Sequence, residues 1–289
     1  MFRYVGLLMF LAIFMSFLVP AGAQDDSGVL PEDEREMKSV RQFRATERSG
    51  QYPSFFLFDK LAISPEKFFC NGFPLDQGRC ASCAGCAIAQ AYSIHYAFWT
   101  KQKNRKPSWL KFSGSFVYNQ IKQPGDCRQG ARISSGLKLL TAKGICPADT
   151  FPHSPYTCGD LPQKQHWKVA AGYKIAGFEK VTTPDMKAKP DSVIINALKN
   201  AIVYSNPVIA CIQIPKSLAE LPEGECRWQA QGKESTYWHA VVITGYDEHH
   251  FQILNSKGCR WGCNGLALVP HAQLASMLEW SFVMTYLPR

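Results

Sequence analysis

Three cysteines, Cys80, Cys83 and Cys86, are spaced three residues apart in the stretch DQGRCASCAGC. Such a group of thiols could bind a metal, form a reversible disulfide, or supply one nucleophile among structural neighbours. A nucleophilic thiolate needs a base that takes its proton, a group that orients the base, and donors for the oxyanion that develops on the substrate. His239 and Asn255, much later in the chain, have suitable side chains for the first two tasks.

The residues around the triplet argue against a metal site. An iron–sulfur run of this type would continue with a fourth cysteine and a proline, but the sequence has Gln90 and Ala91 there. A zinc site would need a second pair of ligands. Cys259 and Cys263 could form such a pair, but the export signal described below favours their oxidation. The sequence therefore predicts no metal and no cofactor.

A redox function stays open as an alternative, because Cys80/Cys83 and Cys83/Cys86 both form a C-x-x-C motif. In a thioredoxin-like protein this motif belongs to a βαβ unit. Residues 74–79 do not have the composition of the strand that should precede it. We therefore favour a nucleophilic thiol over a redox pair.

The elements that would position these side chains follow from the spacing of apolar residues. From Cys83 to Trp99, apolar and small residues recur at helical spacing, which predicts one long buried helix with Cys83 in its first turn. The positive end of the helix dipole stabilises a thiolate at that point. His239 begins one predicted strand and Asn255 ends the next, with a hairpin turn between them. Because helices precede antiparallel strands along the chain, we predict an α+β fold with two lobes. Further predicted elements are helices at residues 31–44, 133–143 and 192–204, and strands at residues 208–212, 265–269 and 282–287.

Three blocks of residues, in this order, resemble the papain-like cysteine peptidases. The nucleophile block of that family reads Gln-Gly-x-Cys-x-Ser-Cys, and residues 77–83 match it. Its histidine block, His-Ala-Val followed by Gly-Tyr, is matched by residues 239–246, and its Asn-Ser-x-Gly…Trp-Gly-x-Asn-Gly block by residues 255–265. The resemblance covers about residues 52–287. It implies a helical lobe that holds the long helix, a β-barrel-like lobe of antiparallel strands, and a cleft between them.

The resemblance implies catalytic roles for four matched residues. Cys83 would be the nucleophile, and His239 would be its base and later the acid that protonates the leaving amine. Asn255 would orient the imidazole. Gln77 would form the oxyanion hole together with the backbone N–H of Cys83.

It also implies roles for residues outside the catalytic set. Gly130, Trp238 and Ala81 would line the substrate cleft. Cys80 would form a disulfide with Cys127. Without Cys83, the eleven cysteines leave ten for five bridges. The eight cysteines outside the Cys80–Cys127 pair, whose pairing the sequence does not give, would form four more bridges.

Two positions depart from the family pattern. The family usually has an aromatic residue directly after the nucleophile, where this chain has Ala84. It also has a tryptophan that shields the histidine–asparagine hydrogen bond, where this chain has Lys257. A cation beside the imidazolium disfavours its charged form, so we predict a retuned thiolate–imidazolium pair. The departures keep open the alternative of a papain-fold binding protein that is weakly active or inactive.

The amino terminus predicts export. Arg3 precedes an apolar run at residues 7–19, which ends at a small-x-small site formed by Ala21 and Ala23. We therefore predict a signal peptide at residues 1–23, a short pro-region or flexible tail at residues 24–51, and the peptidase domain at residues 52–289. Within that domain, we expect the helical lobe at about residues 70–165 and the β lobe at about residues 166–289. This organisation predicts a secreted protein in an extracellular, periplasmic or lysosome-like compartment.

The formal net charge is +9, although acidic residues outnumber basic ones in residues 24–59. The chain has no block of Lys and Arg with interleaved aromatic residues, so we predict that it does not bind nucleic acid. No later run is long and apolar enough to predict a stable membrane association after signal cleavage. The expected partners are protein or peptide substrates and proteinaceous peptidase inhibitors, with endopeptidase cleavage as the expected activity.

Overall fold

The computed structural model describes residues 28–44, 52–61, 70–102, 109–204 and 206–285. The predicted signal peptide lies outside these ranges. Among the described residues, none of the helices combines the length and the apolar character that crossing a bilayer would require.

Short helices and one long helix dominate the first half of the described chain, and strands dominate the second half. The strands are β1 Phe55–Phe56, β2 Gly177–Thr182, β3 Val208–Pro215, β4 Thr236–Tyr246, β5 His250–Leu254, β6 Leu266–Pro270 and β7 Leu278–Thr285. The helices are α1 Glu34–Met37, α2 Leu57–Lys60, α3 Cys83–Gln102, α4 Gly114–Ile121, α5 Ile133–Ala142, α6 Lys164–Ala170, α7 Asp191–Val203, α8 Lys216–Ala219 and α9 His271–Met277, with a 3-10 helix at Pro184–Ala188.

The long helix α3 begins at Cys83, as the sequence predicts. It packs against α4 and α5 on one side and against β3 and β4 on the other, so it lies where the two lobes meet. Small residues allow this close packing. A Cβ atom on Gly85 would lie 2.6 Å from the carbonyl oxygen of Gly114, so only glycine lets α3 approach α4 so closely here.

The strands form one antiparallel sheet in the order β2-β7-β3-β4-β5-β6, and β1 pairs with β4 outside this path. The order does not return to its start, so the sheet is open and resembles a barrel only loosely. β4 lies between β3 and β5, which fixes His239 opposite Ile212 of β3. The two-lobed α+β fold expected from the sequence is therefore confirmed.

The predicted disulfide between Cys80 and Cys127 is wrong. Cys127 is bonded to Cys158, with Cα atoms 5.6 Å apart, and Cys80 is a free thiol. The physical reason is the packing of the loop before Cys158, whose Pro155 carbonyl accepts a hydrogen bond from Arg79 N at 3.0 Å. The other bridges are Cys70–Cys259 and Cys226–Cys263, so the described residues contain three bridges instead of the expected five. The free thiols, all buried, belong to Cys80, Cys83, Cys86, Cys146 and Cys211.

The helix predicted at residues 31–44 is also wrong for most of its length. Only Glu34–Met37 is helical, and Asp33 caps it by accepting hydrogen bonds from Arg35 N and Glu36 N. Residues 38–40 form a turn after this helix, and the parts of the segment around Val29 and Gln42 pair with Ala131 and Lys180 of the two lobes. Contacts outside the segment therefore replace the helical hydrogen bonds that the sequence pattern suggested.

Candidate active site

Cys83 is fully buried at the first residue of α3. Its pKa depends on groups from both lobes. Burial raises the pKa of the Cys83 thiol to about 12, whereas backbone hydrogen bonds from Ala240 and Ala84 and the charge of Lys257 lower it. The contact with Ala240, the residue after His239, brings the thiol next to the start of β4.

His239 and Asn255 form a direct hydrogen bond. The His239 Nε2 donates to the Asn255 Oδ1 at 2.7 Å, because an amide oxygen can only accept. Both side chains are buried. The second ring nitrogen of a neutral imidazole, Nδ1, is then an acceptor that can take a proton. Asn255 Oδ1 also accepts from Ser256 N at 2.8 Å, which fixes the orientation of its carboxamide.

Burial favours the neutral form of the His239 imidazole. Burial lowers the pKa of His239 to about 4; the hydrogen bond with Asn255 raises it, and the charge of Lys257 lowers it further. The expectation that Lys257 disfavours the imidazolium thus agrees in direction with the structure. A Tyr237 ring packs edge-on against the imidazole, with ring centroids 6.1 Å apart.

Gln77 is held by three hydrogen bonds beside this pair. Its Oε1 accepts from Ser256 Oγ at 2.7 Å, and its Nε2 donates to Cys80 O at 3.1 Å. Its backbone N donates to Ser256 O at 2.9 Å. Ser256 directly follows Asn255, so one short segment orients both Gln77, the oxyanion donor predicted from the sequence, and the residue that binds His239.

An extended N-terminal segment, residues 28–44, covers the thiol. Gly28 O accepts from Ala131 N at 3.3 Å, and Leu30 N donates to Ala131 O at 3.1 Å, in a parallel bridge. A methyl group added to Gly28 would lie 2.6 Å from Cys83 Sγ and 2.9 Å from the Ala81 carbonyl group. Gly28 therefore lies against the sulfur, and Val29 beside it is fully buried.

The same segment places a carboxylate against the N-terminus of α5. Glu32 is 7% exposed, and it accepts from Ser134 N at 3.0 Å and from Ser134 Oγ. Arg132 Nε donates to Pro31 O at 2.8 Å. Burial raises the pKa of the Glu32 carboxyl, and the hydrogen bonds from Ser134 and the charge of Arg132 oppose the rise.

Further along, the segment forms a single parallel bridge with the edge strand β2, between Gln42 and Lys180. Phe43 N donates to Lys180 O at 2.7 Å, and Lys180 N donates to Arg41 O at 2.8 Å. An ion pair between Arg41 and Glu179, at 2.7 Å, flanks this pairing. The segment thus runs from Cys83, at Gly28, along the helical lobe, at Glu32 and Ser134, to the edge of the sheet at Lys180.

The three residues predicted to line the substrate cleft, Ala81, Gly130 and Trp238, have different surroundings in the structure. Ala81 lies against Gly28. Gly130 is next to Ala131, and it is Ala131 that pairs with the segment. Trp238 is half-buried, and side chains alternate along a strand, so it points away from the face that carries Tyr237 and His239. A role of Gly130, Trp238 or Ala81 in binding substrate stays a prediction.

Sequence reasoning did not identify Ala131, Ser134 or Gln90 as residues around this site. Ala131 and Ser134 lie close after Cys127, but neither residue type indicates a function there. Gln90 carried a usable signal, since it is a lone amide within the apolar stripe of the long helix. In the described parts of the chain, no group of three or more His, Cys, Asp and Glu side chains is placed to hold a metal ion.

Comparisons with known proteins agree with this geometry. A family model described as papain family cysteine protease matches residues 73–278. An uncharacterized peptidase C1-like protein of Acanthamoeba polyphaga mimivirus is 26% identical over 82% of this chain and 76% of its own length. The crystal structure of xylellain, a cysteine protease from Xylella fastidiosa, has a TM-score of 0.71 at 22% identity and covers 91% of this chain and 97% of its own. A procathepsin B from Trypanosoma congolense has a TM-score of 0.69 at 14% identity, covering 92% and 88% respectively.

Proposed function

Since the chain belongs to the papain family of cysteine proteases, we propose that it is a peptidase that hydrolyses peptide bonds through the thiolate of Cys83. One observation carries the proposal. The His239 Nε2 donates to Asn255 Oδ1 at 2.7 Å, which leaves Nδ1 as the proton acceptor, and the Cys83 thiol lies at a helix N-terminus with a backbone hydrogen bond from Ala240, the residue after His239. This is the arrangement that nucleophilic catalysis by cysteine requires.

The first half of the reaction forms an acyl-enzyme. The Nδ1 of His239 takes the thiol proton, and the Cys83 sulfur attacks the carbonyl carbon of the scissile peptide bond. The backbone N–H of Cys83 and the Nε2 of Gln77, turned from Cys80 O toward the substrate, donate to the oxyanion. The tetrahedral intermediate then collapses, the imidazolium protonates the departing amine, and a thioester remains on Cys83.

The second half of the reaction returns the enzyme to its starting state. His239, neutral again, takes a proton from a water molecule that attacks the thioester carbonyl carbon. The same donors bind the second oxyanion. Its collapse breaks the carbon–sulfur bond, releases the carboxylic acid product, and restores the thiol and the neutral imidazole.

We also propose that residues 24–51 act as a pro-region. The supporting contacts are those of Gly28 with Cys83, whose thiol is fully buried, of Glu32 with Ser134 and of Phe43 with Lys180. Cleavage between residues 44 and 52 would free the cleft. It would keep β1, which pairs with β4 through Phe55 and Tyr246, on the body of the enzyme.

The remaining details are proposals of the same kind. A signal peptide at residues 1–23 would direct the chain out of the cell, where three bridges would form among its cysteines. The peptidase domain would span residues 52–289 and act on proteins or peptides as an endopeptidase. Proteinaceous inhibitors would bind the same cleft. We propose no metal, no cofactor and no nucleic acid partner.

The test uses a cleavable chain, defined as the full sequence with a recognition site for an external protease inserted between Gly50 and Gln51. A peptidyl epoxide is added before and after cleavage and removal of the released segment, and the modified residue is mapped by mass spectrometry. The matched variants are Cys83→Ala and His239→Ala. We expect modification at Cys83 that requires His239 and appears after cleavage, together with hydrolysis of a denatured protein.

Other outcomes would favour other functions. A folded, cleaved chain with no modification and no hydrolysis would favour a binding protein on this fold. Modification that appears only after reduction would favour a redox function, because it would mean that Cys83 spends its time in a disulfide with Cys80 or Cys86.

A further inference from the structure

Gln90 is a buried amide on α3, seven residues beyond Cys83 and thus about two helical turns away. It has no part in the proposed reaction. Its neighbours on the helix are mostly alanine, isoleucine and cysteine. Burying a carboxamide is unfavourable unless both its oxygen and its nitrogen find partners. The partners that it finds therefore indicate what the residue does.

The carboxamide of Gln90 joins two segments that build the active site. Its Oε1 accepts a hydrogen bond from Leu75 N at 2.9 Å, and its Nε2 donates to Asn255 O at 3.4 Å. Leu75 precedes Gln77, the proposed oxyanion donor, by two residues. Asn255 holds the His239 imidazole. One side chain thus binds the backbone on the oxyanion side and on the base side.

These two segments also form a short antiparallel ladder. Residues 75–77 pair with residues 256–258 through two backbone hydrogen bonds, of 2.9 Å and 3.2 Å. Gln90 supplies a partner for the Leu75 N–H at one end of this ladder and for the carbonyl of Asn255, which adjoins its other end. One carboxamide can serve both groups because its oxygen accepts and its NH2 group donates.

We propose that Gln90 is a positioning residue of the active site, which uses both ends of its carboxamide to keep Gln77 and Asn255 in register. The inference deepens the proposed peptidase function and rests on it. An apolar side chain of the same length would fill the same space but leave two buried backbone groups without their partner. Either segment could then shift, and a shift of about 1 Å in a catalytic group can cost about a hundredfold in rate.

The experiment compares Gln90→Met with wild type in the cleavable chain after cleavage. Methionine keeps the length and volume of the side chain and removes both hydrogen bonds. We measure kcat and KM for a peptide amide, the pH dependence of kcat/KM, and the melting temperature. We expect a decrease of kcat by about tenfold to a hundredfold with KM changed less than threefold, because positioning acts on the reacting groups and not on substrate binding.

Two further variants separate positioning from a loss of stability. Ser93, on the same helix, is buried and accepts from Phe112 N at 3.1 Å, far from the reacting groups. Ser93→Ala should lower the melting temperature while kcat stays within twofold of wild type. Gln90→Glu, measured at pH 5, should keep kcat within about threefold, because burial favours the neutral carboxyl group, which retains an acceptor and a donor.

The proposal is overturned if Gln90→Met retains kcat within twofold, or if Ser93→Ala loses as much kcat as Gln90→Met. If Gln90→Met does not fold, the test uses the folded Gln90→Glu variant instead. A decrease of kcat in Gln90→Glu as large as the decrease in Asn255→Ala would then overturn the proposal. A wild-type chain that hydrolyses nothing after cleavage would instead refute the peptidase function, which is a distinct result.

Discussion

A single methyl group at Gly28 should release the N-terminal segment from the cleft. Built on the backbone, the Cβ atom of alanine would lie 2.6 Å from Cys83 Sγ and 2.9 Å from the carbonyl carbon and oxygen of Ala81. Ordinary contacts between heavy atoms are about 3.5–4.0 Å. The segment, the thiol or the backbone of Ala81 must therefore move by about 1 Å, and the last of these belongs to the loop that precedes α3.

The size of the effect follows from the general cost of overpacking. Adding a methyl group to a closely packed site usually costs about 1–3 kcal/mol. Because each 1.4 kcal/mol corresponds to a factor of ten, docking of the segment should weaken by about 5-fold to 150-fold. If the thiol reacts only while the segment is displaced, the rate of Cys83 modification should rise by the same factor. The rate of Cys83 modification in the cleaved chain sets the upper limit of this increase.

The assay measures the initial rate of Cys83 alkylation by a peptidyl epoxide in the uncleaved chain. Gly28→Ala is compared with wild type and with Gly159→Ala, a matched control, since a Cβ on Gly159 would meet no atom within 4 Å. After cleavage, all three chains should react at the same rate because the segment is gone. An uncleaved Gly28→Ala chain that reacts within twofold of wild type would refute the reasoning, since Gly28 would then not limit access to the thiol.

Two further predictions concern pH. Docking of the segment raises the pKa of Glu32 above its ordinary value of 4.5, so the protonated form of Glu32 favours docking. The contribution of Glu32 to the free energy of docking is therefore complete below pH 4.5, and it is lost as the pH rises through the pKa of the docked state. Lowering the pH should therefore slow the labelling of Cys83 in the uncleaved chain relative to the cleaved chain, and Glu32→Gln should abolish this pH dependence. Labelling that becomes faster in acid, in wild type and in Glu32→Gln alike, would contradict the prediction. Lys257 lowers the pKa of both Cys83 and His239, so in Lys257→Met both limbs of the kcat/KM profile of the cleaved enzyme should move to higher pH, whereas superimposable profiles would contradict this role.

The sequence predicts the helix that carries Cys83 and the strands that carry His239 and Asn255, because each depends on local spacing. The long helix has apolar residues at helical intervals over its whole length, and its start was placed correctly at Cys83. The histidine and asparagine lie in compact motifs whose neighbours fix a strand and a turn. Local patterns of this kind are preserved when the chain folds, so they can be recognised without the structure.

Features that depend on distant contacts were not predictable in the same way. The partner of Cys127 is decided by the loop that packs Pro155 against Arg79, and nothing near Cys127 in the sequence reports that packing. The segment at residues 28–44 has helical composition but forms one helical turn, because Ala131, Ser134 and Lys180 offer it hydrogen bonds in an extended form. Gln90 enters the sequence predictions only because it occupies the position where an iron–sulfur motif would have its fourth cysteine. Its hydrogen-bond partners, Leu75 and Asn255, lie 15 and 165 residues away in the sequence.

The covering segment affects the chemistry of the thiol as well as its accessibility. With the cleft covered, burial raises the pKa of Cys83 to about 12 and lowers that of His239 to about 4, so burial favours the uncharged form of both groups. Desolvation is the largest cause of both shifts, and it is the cause that the segment helps to create. Removing the segment admits water, which lowers the thiol pKa and raises the imidazole pKa together. The hydrogen bond between His239 and Asn255 and the N-terminus of α3 do not involve the segment, so we expect both to persist after removal. Uncovering the cleft should therefore both expose the nucleophile and make its charged form more accessible, and the rearrangement that the proposed reaction still needs is the turn of Gln77 Nε2 from Cys80 O toward the substrate.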